Sequence, residues 1–399
     1  MGIIHSQGAM LTDFYQLTMA YGYWKLGMAE HQSVFHLFTQ KAPFKGSYTV
    51  FCGLDKVKDL IENFGFTEDN LTWLREQNCP NGEKLFEDGF IEYLRDLKLK
   101  VDIEAMPEGT VTFPRTPLIR VKGNLIACQL LETALLNCVN FDSLVATKAA
   151  RIKLAAKSSE VFEFGLRRAQ GAGAGLRASR AAWIGGTCAT SNVLAASKYG
   201  VPLKGSHGSS WVMAHSSELD AFINFGLIFP GACVLLVDTY STIEGVKNAV
   251  RAAEKLAQQD ISLEAICLDS GNMLELSCEA RRLLDEAGLK KTKIIAAGSL
   301  DEHVIDDLKT KGARINIFGV GTRLVTAFDD QALACVYKLS AIRPTPEDEW
   351  QYKVKVSDDV ARSSFPGVQQ VKRFSRLGFF DYDVIINEDG PQGLSLIHI

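Results

Sequence analysis

Four short apolar runs in the second half of the chain decide its fold: Cys233-Val-Leu-Leu-Val-Asp238, Leu263-Glu-Ala-Ile-Cys-Leu-Asp269, Lys293-Ile-Ile-Ala-Ala-Gly298 and Arg314-Ile-Asn-Ile-Phe-Gly319. Each has the length and apolar content of a buried strand. The runs begin 30, 30 and 21 residues apart, and the segments between them have helical hydrophobic spacing. This alternation predicts βα units in a parallel sheet.

A carboxylate or a glycine follows each run, at Asp238, Asp269, Gly298 and Gly319. In a βα barrel, the catalytic groups collect at the carboxyl ends of the strands. An open, doubly wound sheet also binds ligands at that edge, so these positions leave both architectures open. We predict a functional site at this edge and favour the barrel.

The first 140 residues mix helices and strands irregularly. Helical spacing covers about 12–25, and Thr67 and Asn81 each open a further amphipathic helix. Strand-like runs lie at 33–38, 47–51, 100–105, 110–113 and 117–122, before a long apolar helical stretch from Asn124. We predict three parts: an N-terminal α+β domain over 1–140, a βα barrel over 141–340, and a C-terminal segment over 341–393 that packs back on the N-terminal domain.

The final residues, 394–399, resemble the in-frame translation of a transposon-end adapter used in sequencing libraries. A natural apolar tail is the alternative. We treat them as an artefact of cloning or sequencing, exclude them from the fold and expect the natural protein to continue.

Composition excludes several classes of protein. The chain has 399 residues, a net charge of −4 and a pI near 6, which give no electrostatic basis for binding nucleic acid or an anionic membrane. Its nine cysteines include no CxxC pair, which argues against a zinc ribbon. Neither a signal peptide nor an apolar run of membrane-spanning length is evident, so we expect a cytoplasmic protein.

One motif is suited to holding phosphate. Phe318-Gly-Val-Gly-Thr-Arg323 ends a predicted strand with two glycines, a hydroxyl and a cation. Glycines allow backbone N–H groups to approach phosphate oxygens, and Thr322 can add a donor. A plain strand-to-helix turn is the alternative, but Ala297-Gly-Ser-Leu-Asp-Glu302 on the neighbouring strand favours the phosphate site.

Three further features are candidates for chemistry. Asp238 and Asp269 can hold ribose hydroxyls or stabilise a sugar cation, although each could instead cap the following helix. Glu163-Phe-Gly-Leu-Arg-Arg168 offers an aromatic ring for stacking and arginines for phosphate, or else a core ring and a basic turn. His207, in the polar loop before Trp211, can act as an acid or base, but a lone loop histidine is more often a surface residue.

Together these segments resemble the nicotinate phosphoribosyltransferase family, in order and over roughly residues 8–340. The matching stretches are Leu11-Thr-Asp-Phe-Tyr-Gln-Leu-Thr-Met19, Glu163-Phe-Gly-Leu-Arg-Arg-Ala-Gln170, Ser179-Arg-Ala-Ala-Trp-Ile-Gly185, Thr190-Ser-Asn-Val-Leu194, Asp238-Thr-Tyr240, Leu268-Asp-Ser-Gly271 and Phe318-Gly-Val-Gly-Thr-Arg-Leu-Val-Thr326. The resemblance implies an irregular βα barrel of the type II phosphoribosyltransferase kind with an N-terminal α+β domain. It also implies a homodimer that shares its active sites.

The resemblance assigns roles to individual residues. Phe164 and Tyr15, the latter from the second subunit, would stack on the pyridine of nicotinate, and Arg167 would meet the pyrophosphate of phosphoribosyl pyrophosphate. Asp238 and Asp269 would attend the ribose. Gly298, Gly319, Gly321 and Thr322 would hold the 5′-phosphate. Mg²⁺ would accompany the pyrophosphate, and ATP would be a co-substrate acting through a phosphorylated histidine.

The chain departs from the family pattern at several of these positions. Ser209 stands where the family has the phosphorylated histidine, and Cys267 where it has an arginine that meets the carboxylate. Asn272 and Ser299 replace aspartates, and Gln40 replaces an arginine. Ser191 stands where nicotinamide-using relatives carry an aspartate, which favours an acid over an amide. Two alternatives stay open: an ATP-uncoupled enzyme with another pyridine acceptor, and a non-catalytic homologue that binds ribose phosphates.

Overall fold

The computed structural model describes residues 8–356, 363–390 and 395–398, the last stretch by its backbone. Its strands are β1 (Gln32–Thr39), β2 (Thr49–Val50), β3 (Val101–Ala105), β4 (Val111–Thr112), β5 (Pro117–Asn124), β6 (Glu160–Glu163), β7 (Ala189–Thr190), β8 (Val234–Leu236), β9 (Ala265–Leu268), β10 (Lys293–Ala296), β11 (Ile317–Val320), β12 (Cys335–Arg343), β13 (Gln351–Tyr352), β14 (Gln369–Arg376), β15 (Phe379–Asn387) and β16 (Ser395–His398).

The α-helices follow the same chain order. They are α1 (Phe14–Lys25), α2 (Leu54–Glu62), α3 (Glu68–Arg75), α4 (Asp88–Asp96), α5 (Leu125–Leu130), α6 (Glu132–Ala156), α7 (Ala172–Ile184), α8 (Val193–Tyr199), α9 (Ser209–Met213), α10 (Glu218–Ile228), α11 (Thr242–Ala257), α12 (Met273–Glu286), α13 (Glu302–Thr310) and α14 (Thr322–Val325). Within the described residues, no helix is both long enough and apolar enough to cross a membrane.

The chain divides into two compact units, residues 1–144 with 332–399 and residues 145–331. The first unit is built on an antiparallel sheet with the strand order β13-β12-β1-β5-β3. Because β12 pairs with β1 along its whole length, residues 332–340, which the sequence assigned to the barrel, belong to the first unit.

The second unit contains a parallel sheet with the strand order β7-β6-β11-β10-β9-β8. Strands β8 to β11 are neighbours in chain order, and the last of them pairs with β6, which opens the series. A doubly wound sheet would instead reverse its order at a switch point. This order therefore confirms an irregular barrel, curled and open along a seam between β7 and β8, where no ladder joins the described strands.

Alternate residues of the barrel strands face two different cores. Ile266 and Leu268 pack with the helix layer, against Val246, Leu256 and other buried residues of the surrounding helices. Cys267 and Ala265, two residues before it, instead face the inside of the sheet, as the two-residue period of a strand requires. The interior is thus lined by the set Phe162, Ala265, Cys267, Ile295 and Ile317.

Two predicted helix starts in the first unit had different outcomes. Thr67 is confirmed as the N-cap of α3, where it forms a capping box with Asn70. The predicted start at Asn81 is wrong, because the Asn81 side chain accepts the N–H of Glu83 inside a tight turn. The next helix, α4, begins at Asp88.

Candidate active site

A cavity of about 160 Å³ lies at the carboxyl ends of β6, β9, β10 and β11. Its lining comprises Phe164, Arg167, Arg168, Asp269, Ala297, Gly298, Ser299, Gly319, Gly321 and Thr322. Seven of these residues were singled out from the sequence. The other three, Arg168, Ala297 and Ser299, belong to the motifs quoted from the sequence but received no individual role there.

The turn after β6 brings Phe164 to this cavity and fixes its position. The Phe164 N–H donates to the Val320 carbonyl at 2.8 Å. A β-carbon at position 319 would lie 2.6 Å from Cδ2 of the Phe164 ring. The sequence placed Gly319 after its strand, but it lies within β11, and the absence of a side chain there lets the aromatic ring pack against the strand.

A buried carboxylate, Glu163, holds the same turn from beneath. It accepts hydrogen bonds from the Gly165 N–H, from the Ser179 hydroxyl at 2.7 Å and from the Thr190 hydroxyl at 2.6 Å. Asn192 in turn donates to Ser179 Oγ at 3.0 Å. The motif residues at 163, 179, 190 and 192 therefore form one polar network, and an acid ending a buried strand was its signal in the sequence.

The two aspartates lie at adjacent strand ends, but they have different surroundings. Asp269 lines the cavity. Asp238 does not, but its Oδ2 accepts hydrogen bonds from the Asp269 N–H at 3.1 Å and from the Ser270 hydroxyl at 2.7 Å. Neither aspartate is the N-cap of the following helix, since Ser241 and Asn272 occupy those positions. The helix-cap alternative is therefore wrong, and Asp238 supports the turn that presents Asp269.

Charged side chains of both signs lie near Asp269. Burial and the nearby Asp238 charge raise the pKa of Asp269, and Arg167 and Arg168 oppose that shift. Both arginines are exposed in a short 3₁₀ helix, Leu166–Arg168, that borders the cavity. They therefore offer donors to an anion at the same opening.

A second cavity, of about 280 Å³, occupies the barrel interior and includes Phe164 and Cys267 in its wall. Phe164 thus borders both cavities. Burial, assisted by Asp269 and Asp238, raises the pKa of Cys267 to about 12. The interior wall therefore presents a neutral thiol where the family pattern has a guanidinium.

Three residues predicted from the sequence lie elsewhere. Neither cavity's described lining includes Ser191, whose N–H is bound to the Glu163 carbonyl at 3.0 Å. Ser209 begins α9 as an exposed residue and also lines neither cavity. Tyr15 belongs to the first unit, where the residue is 48% exposed and its hydroxyl donates to Glu132 Oε1 at 3.2 Å.

The loop histidine, His207, is half-buried, and its ring is packed and hydrogen-bonded. Its Nε2 accepts the Leu236 N–H at 3.3 Å, which assigns the proton to Nδ1, 3.3 Å from the Gly208 carbonyl. Its ring centroid lies 4.8 Å from that of Phe225. Burial lowers the pKa of His207, and His215 adds to that effect.

These features define a class of protein, an α/β-barrel enzyme with a glycine- and arginine-lined cavity at the carboxyl ends of its strands. Residues 10–140 match the family model described as the nicotinate phosphoribosyltransferase N-terminal domain. The chain is 42% identical over 363 residues to nicotinate phosphoribosyltransferase of Bacillus subtilis (strain 168), covering 91% of this chain and 72% of that protein. It is 37% identical over 444 residues to nicotinate phosphoribosyltransferase of Caenorhabditis elegans, covering 96% and 77%.

A solved structure agrees with these relatives. The crystal structure of human nicotinic acid phosphoribosyltransferase superposes with a TM-score of 0.80 at 29% identity, covering 95% of this chain and 82% of the human chain. The chain belongs to the nicotinate phosphoribosyltransferase family.

Proposed function

We propose that this enzyme transfers the phosphoribosyl group of phosphoribosyl pyrophosphate to nicotinate, giving nicotinate mononucleotide for NAD biosynthesis. Family membership supports the reaction, and one observation carries the assignment of the site. An aromatic ring, two arginines, a carboxylate and three glycines meet in a single cavity at the carboxyl ends of the barrel strands. Those groups match, in turn, a flat heterocycle, a pyrophosphate, a ribose and a phosphate.

The chemistry needs charge stabilisation more than covalent help. The pyridine nitrogen forms a bond to the anomeric carbon while the bond from that carbon to the pyrophosphate oxygen breaks, and the electron pair leaves with pyrophosphate. In this proposal Asp269, supported by Asp238, stabilises positive charge on the sugar, and Arg167 and Arg168 stabilise the departing anion. Phe164 orients the ring.

Mg²⁺ is the metal that this proposal implies. The described residues contain no group of three or more candidate metal ligands that could surround an ion. The two carboxylates of Asp238 and Asp269 still fit Mg²⁺, which commonly binds substrate phosphates, waters and one or two carboxylates. Asp238 and Asp269 would hold it through water, and it would neutralise charge on the pyrophosphate.

Three further features belong to the proposal. A second copy of the chain supplies Tyr15 to complete the ring-binding site, and this ring is exposed in the first unit. The enzyme works in the cytoplasm, where the nine free thiols would stay reduced. ATP does not drive turnover in this proposal, because Ser209 stands at the position of the phosphorylated histidine; the hydrogen bonds and packing of His207 support the view that it does not substitute.

The test is a product assay on the purified protein with phosphoribosyl pyrophosphate and each of nicotinate, nicotinamide and quinolinate, with and without ATP. We expect nicotinate mononucleotide to form in preference to the other products, at a rate that ATP raises less than about twofold. His207→Asn is the matched variant, and it should leave the ATP dependence unchanged. A strong ATP stimulation that His207→Asn abolishes, with phosphohistidine detected in the parent, would show that His207 carries the energy coupling.

A further inference from the structure

The cation in the Gly-Val-Gly-Thr-Arg motif does not point into the cavity that the motif borders. Arg323 is absent from the cavity's described lining, and its guanidinium Nη1 contacts Asp301 Oδ2. The guanidinium carbon also lies 4.9 Å from the centroid of the Phe328 ring. A carboxylate and an aromatic face thus hold this arginine outside the site.

Asp301 divides its two oxygens between two tasks. It is 2% exposed, and its Oδ1 caps α13 by accepting the Val304 N–H at 2.8 Å. Its Oδ2 is left for Arg323. Burial alone would raise the pKa of Asp301, but the Val304 N–H and Arg323 lower it, which keeps the carboxylate charged.

Glu302, which follows Asp301 in the chain, holds the loop after β10 through a second set of ion pairs. Its Oε2 lies 2.8 Å from Nζ of Lys148, a fully buried residue, and its Oε1 lies 2.8 Å from Arg151 Nε. Lys148 Nζ also lies 3.0 Å from Oδ2 of Asp329, a residue that follows β11 and α14. The loops after β10 and β11 are therefore tied to each other and to α6.

We propose that the Asp301–Arg323 pair is a clamp that sets the spacing between the loops carrying Gly298 and Ser299 on one side and Gly321 and Thr322 on the other. This inference rests on the proposed function, because these loops form the proposed ribose-phosphate site. It makes both members of the pair positioning residues. It also leaves Arg167 and Arg168 as the cations that bind the ligand.

Asp301→Asn separates the clamp from the helix cap. Asparagine caps a helix about as well as aspartate, so its oxygen can still accept the Val304 N–H. Its amide N–H₂ would then face the Arg323 donors, and the clamp would be lost. Arg323→Met removes the guanidinium, with its contacts to Asp301 and to the Phe328 ring, and keeps an unbranched apolar side chain.

The measurement is calorimetric binding of phosphoribosyl pyrophosphate, with KM and kcat for both substrates. Each single variant should raise the Kd for phosphoribosyl pyrophosphate about tenfold, as expected for a lost charge-assisted hydrogen bond. The KM for nicotinate should stay within about threefold of the parent value. The double variant should bind phosphoribosyl pyrophosphate no more weakly than the single variant with the lower affinity, since the two changes remove one interaction. Arg323→Lys, which keeps the charge, should recover part of the affinity.

Arg281→Met, which breaks an ion pair with Asp285 on α12 in the same unit, is the control for loss of stability. It should leave phosphoribosyl pyrophosphate binding unchanged. A loss of affinity in Arg323→Met but not in Asp301→Asn would overturn the clamp and make Arg323 a ligand-binding residue. Additive effects in the double variant would overturn it too. A parent that binds no phosphoribosyl pyrophosphate would instead overturn the proposed function.

Discussion

At the residue scale, we expect a replacement of Cys267 to alter acceptor binding most directly. Its thiol is neutral, because burial and two nearby aspartates raise its pKa to about 12. It therefore gives the carboxylate of nicotinate no opposite charge. The interior cavity of about 280 Å³ beside it leaves room for a longer side chain.

We expect Cys267→Arg to lower the nicotinate KM by about tenfold, the effect of one charge-assisted hydrogen bond, and to leave nicotinamide use low. Cys267→Met is the matched control, since it fills the same space without a charge and should not lower the KM. Steady-state kinetics with both acceptors checks this. No gain on nicotinate in Cys267→Arg would mean that the carboxylate binds elsewhere.

Single residues were predictable where backbone freedom or strand position marked them. Asp269, Phe164 and Gly321 line the cavity as their positions after strands suggested. The role of Arg323 was not predictable, because a motif shows a charge but not the buried carboxylate that binds it. Ser191 likewise has a backbone contact with Glu163, which no local pattern reveals.

At the scale of elements, Gly319 within β11 and Gly321 directly after it have different surroundings. A β-carbon at position 319 would clash with the Phe164 ring, at 2.6 Å from Cδ2. At position 321, a β-carbon would lie 3.3 Å from the Phe164 carbonyl oxygen. The first glycine accommodates the Phe164 ring, and the second lines the cavity that, in the proposed function, holds the phosphate.

We expect Gly319→Ala to raise the nicotinate KM about tenfold and Gly321→Val to raise the KM for phosphoribosyl pyrophosphate by a similar factor, with smaller effects on the other substrate. Gly173→Ala on α7 is the control, because nothing lies within 4 Å of a β-carbon there. Kinetics with each substrate varied in turn separates the two effects. Equal changes in both KM values for either variant would refute the separate roles.

The elements of the barrel were largely predictable from the sequence. The helical spacing between the first two apolar runs is confirmed by α11, and all four apolar runs contain strands. Strand ends differed by one to three residues, since pairing with neighbours decides where a ladder stops. The predicted helix at Asn81 failed because a side-chain hydrogen bond closed a turn that helical spacing could not exclude.

At the scale of the whole molecule, His36 joins three distant parts of the chain in the first unit. On β1 and fully buried, its Nδ1 lies 2.8 Å from Ser340 Oγ, and its Nε2 accepts the Gln369 N–H at 3.2 Å. Because the Ser340 hydroxyl donates to the Val34 carbonyl, the proton of the imidazole lies on Nδ1. The C-terminal segment is thus tied back to the first strand.

Acid should weaken this connection. Burial, with a smaller effect of the Arg120 charge, lowers the pKa of His36 to about 3, against about 6.5 in an unfolded chain. The unfolded state therefore binds the proton more readily, and stability falls as the pH drops from about 6.5 toward 3. The slope from this residue approaches about 1.4 kcal/mol per pH unit.

Urea unfolding between pH 7 and pH 4.5 measures that slope. His36→Gln, which keeps an acceptor and a donor but cannot be protonated, should flatten the pH dependence even if it lowers stability at pH 7. His303→Gln, at an exposed position on α13, is the control and should leave the profile unchanged. An unaltered slope in His36→Gln would show that other groups cause the acid sensitivity.

The pairing of β12 was not predictable from the sequence, which assigned residues 335–340 to the barrel. Pairing of β12 with β1 joins residues about 300 positions apart, and alternation within a strand does not identify its partner. The closure of the parallel sheet was similarly open, because the edge where the ligands bind looks the same in a barrel and in an open sheet. Both depend on long-range contacts.

The most direct measurement of the central claim is the yield of nicotinate mononucleotide and pyrophosphate from the purified chain with phosphoribosyl pyrophosphate and nicotinate. We predict that the two products form in equal amounts without ATP, and that Asp269→Asn reduces both about a hundredfold or more, as for loss of one group that stabilises transition-state charge. Failure of the folded parent to form the nucleotide while it binds phosphoribosyl pyrophosphate would contradict the account, and would identify the chain as a ribose-phosphate-binding homologue.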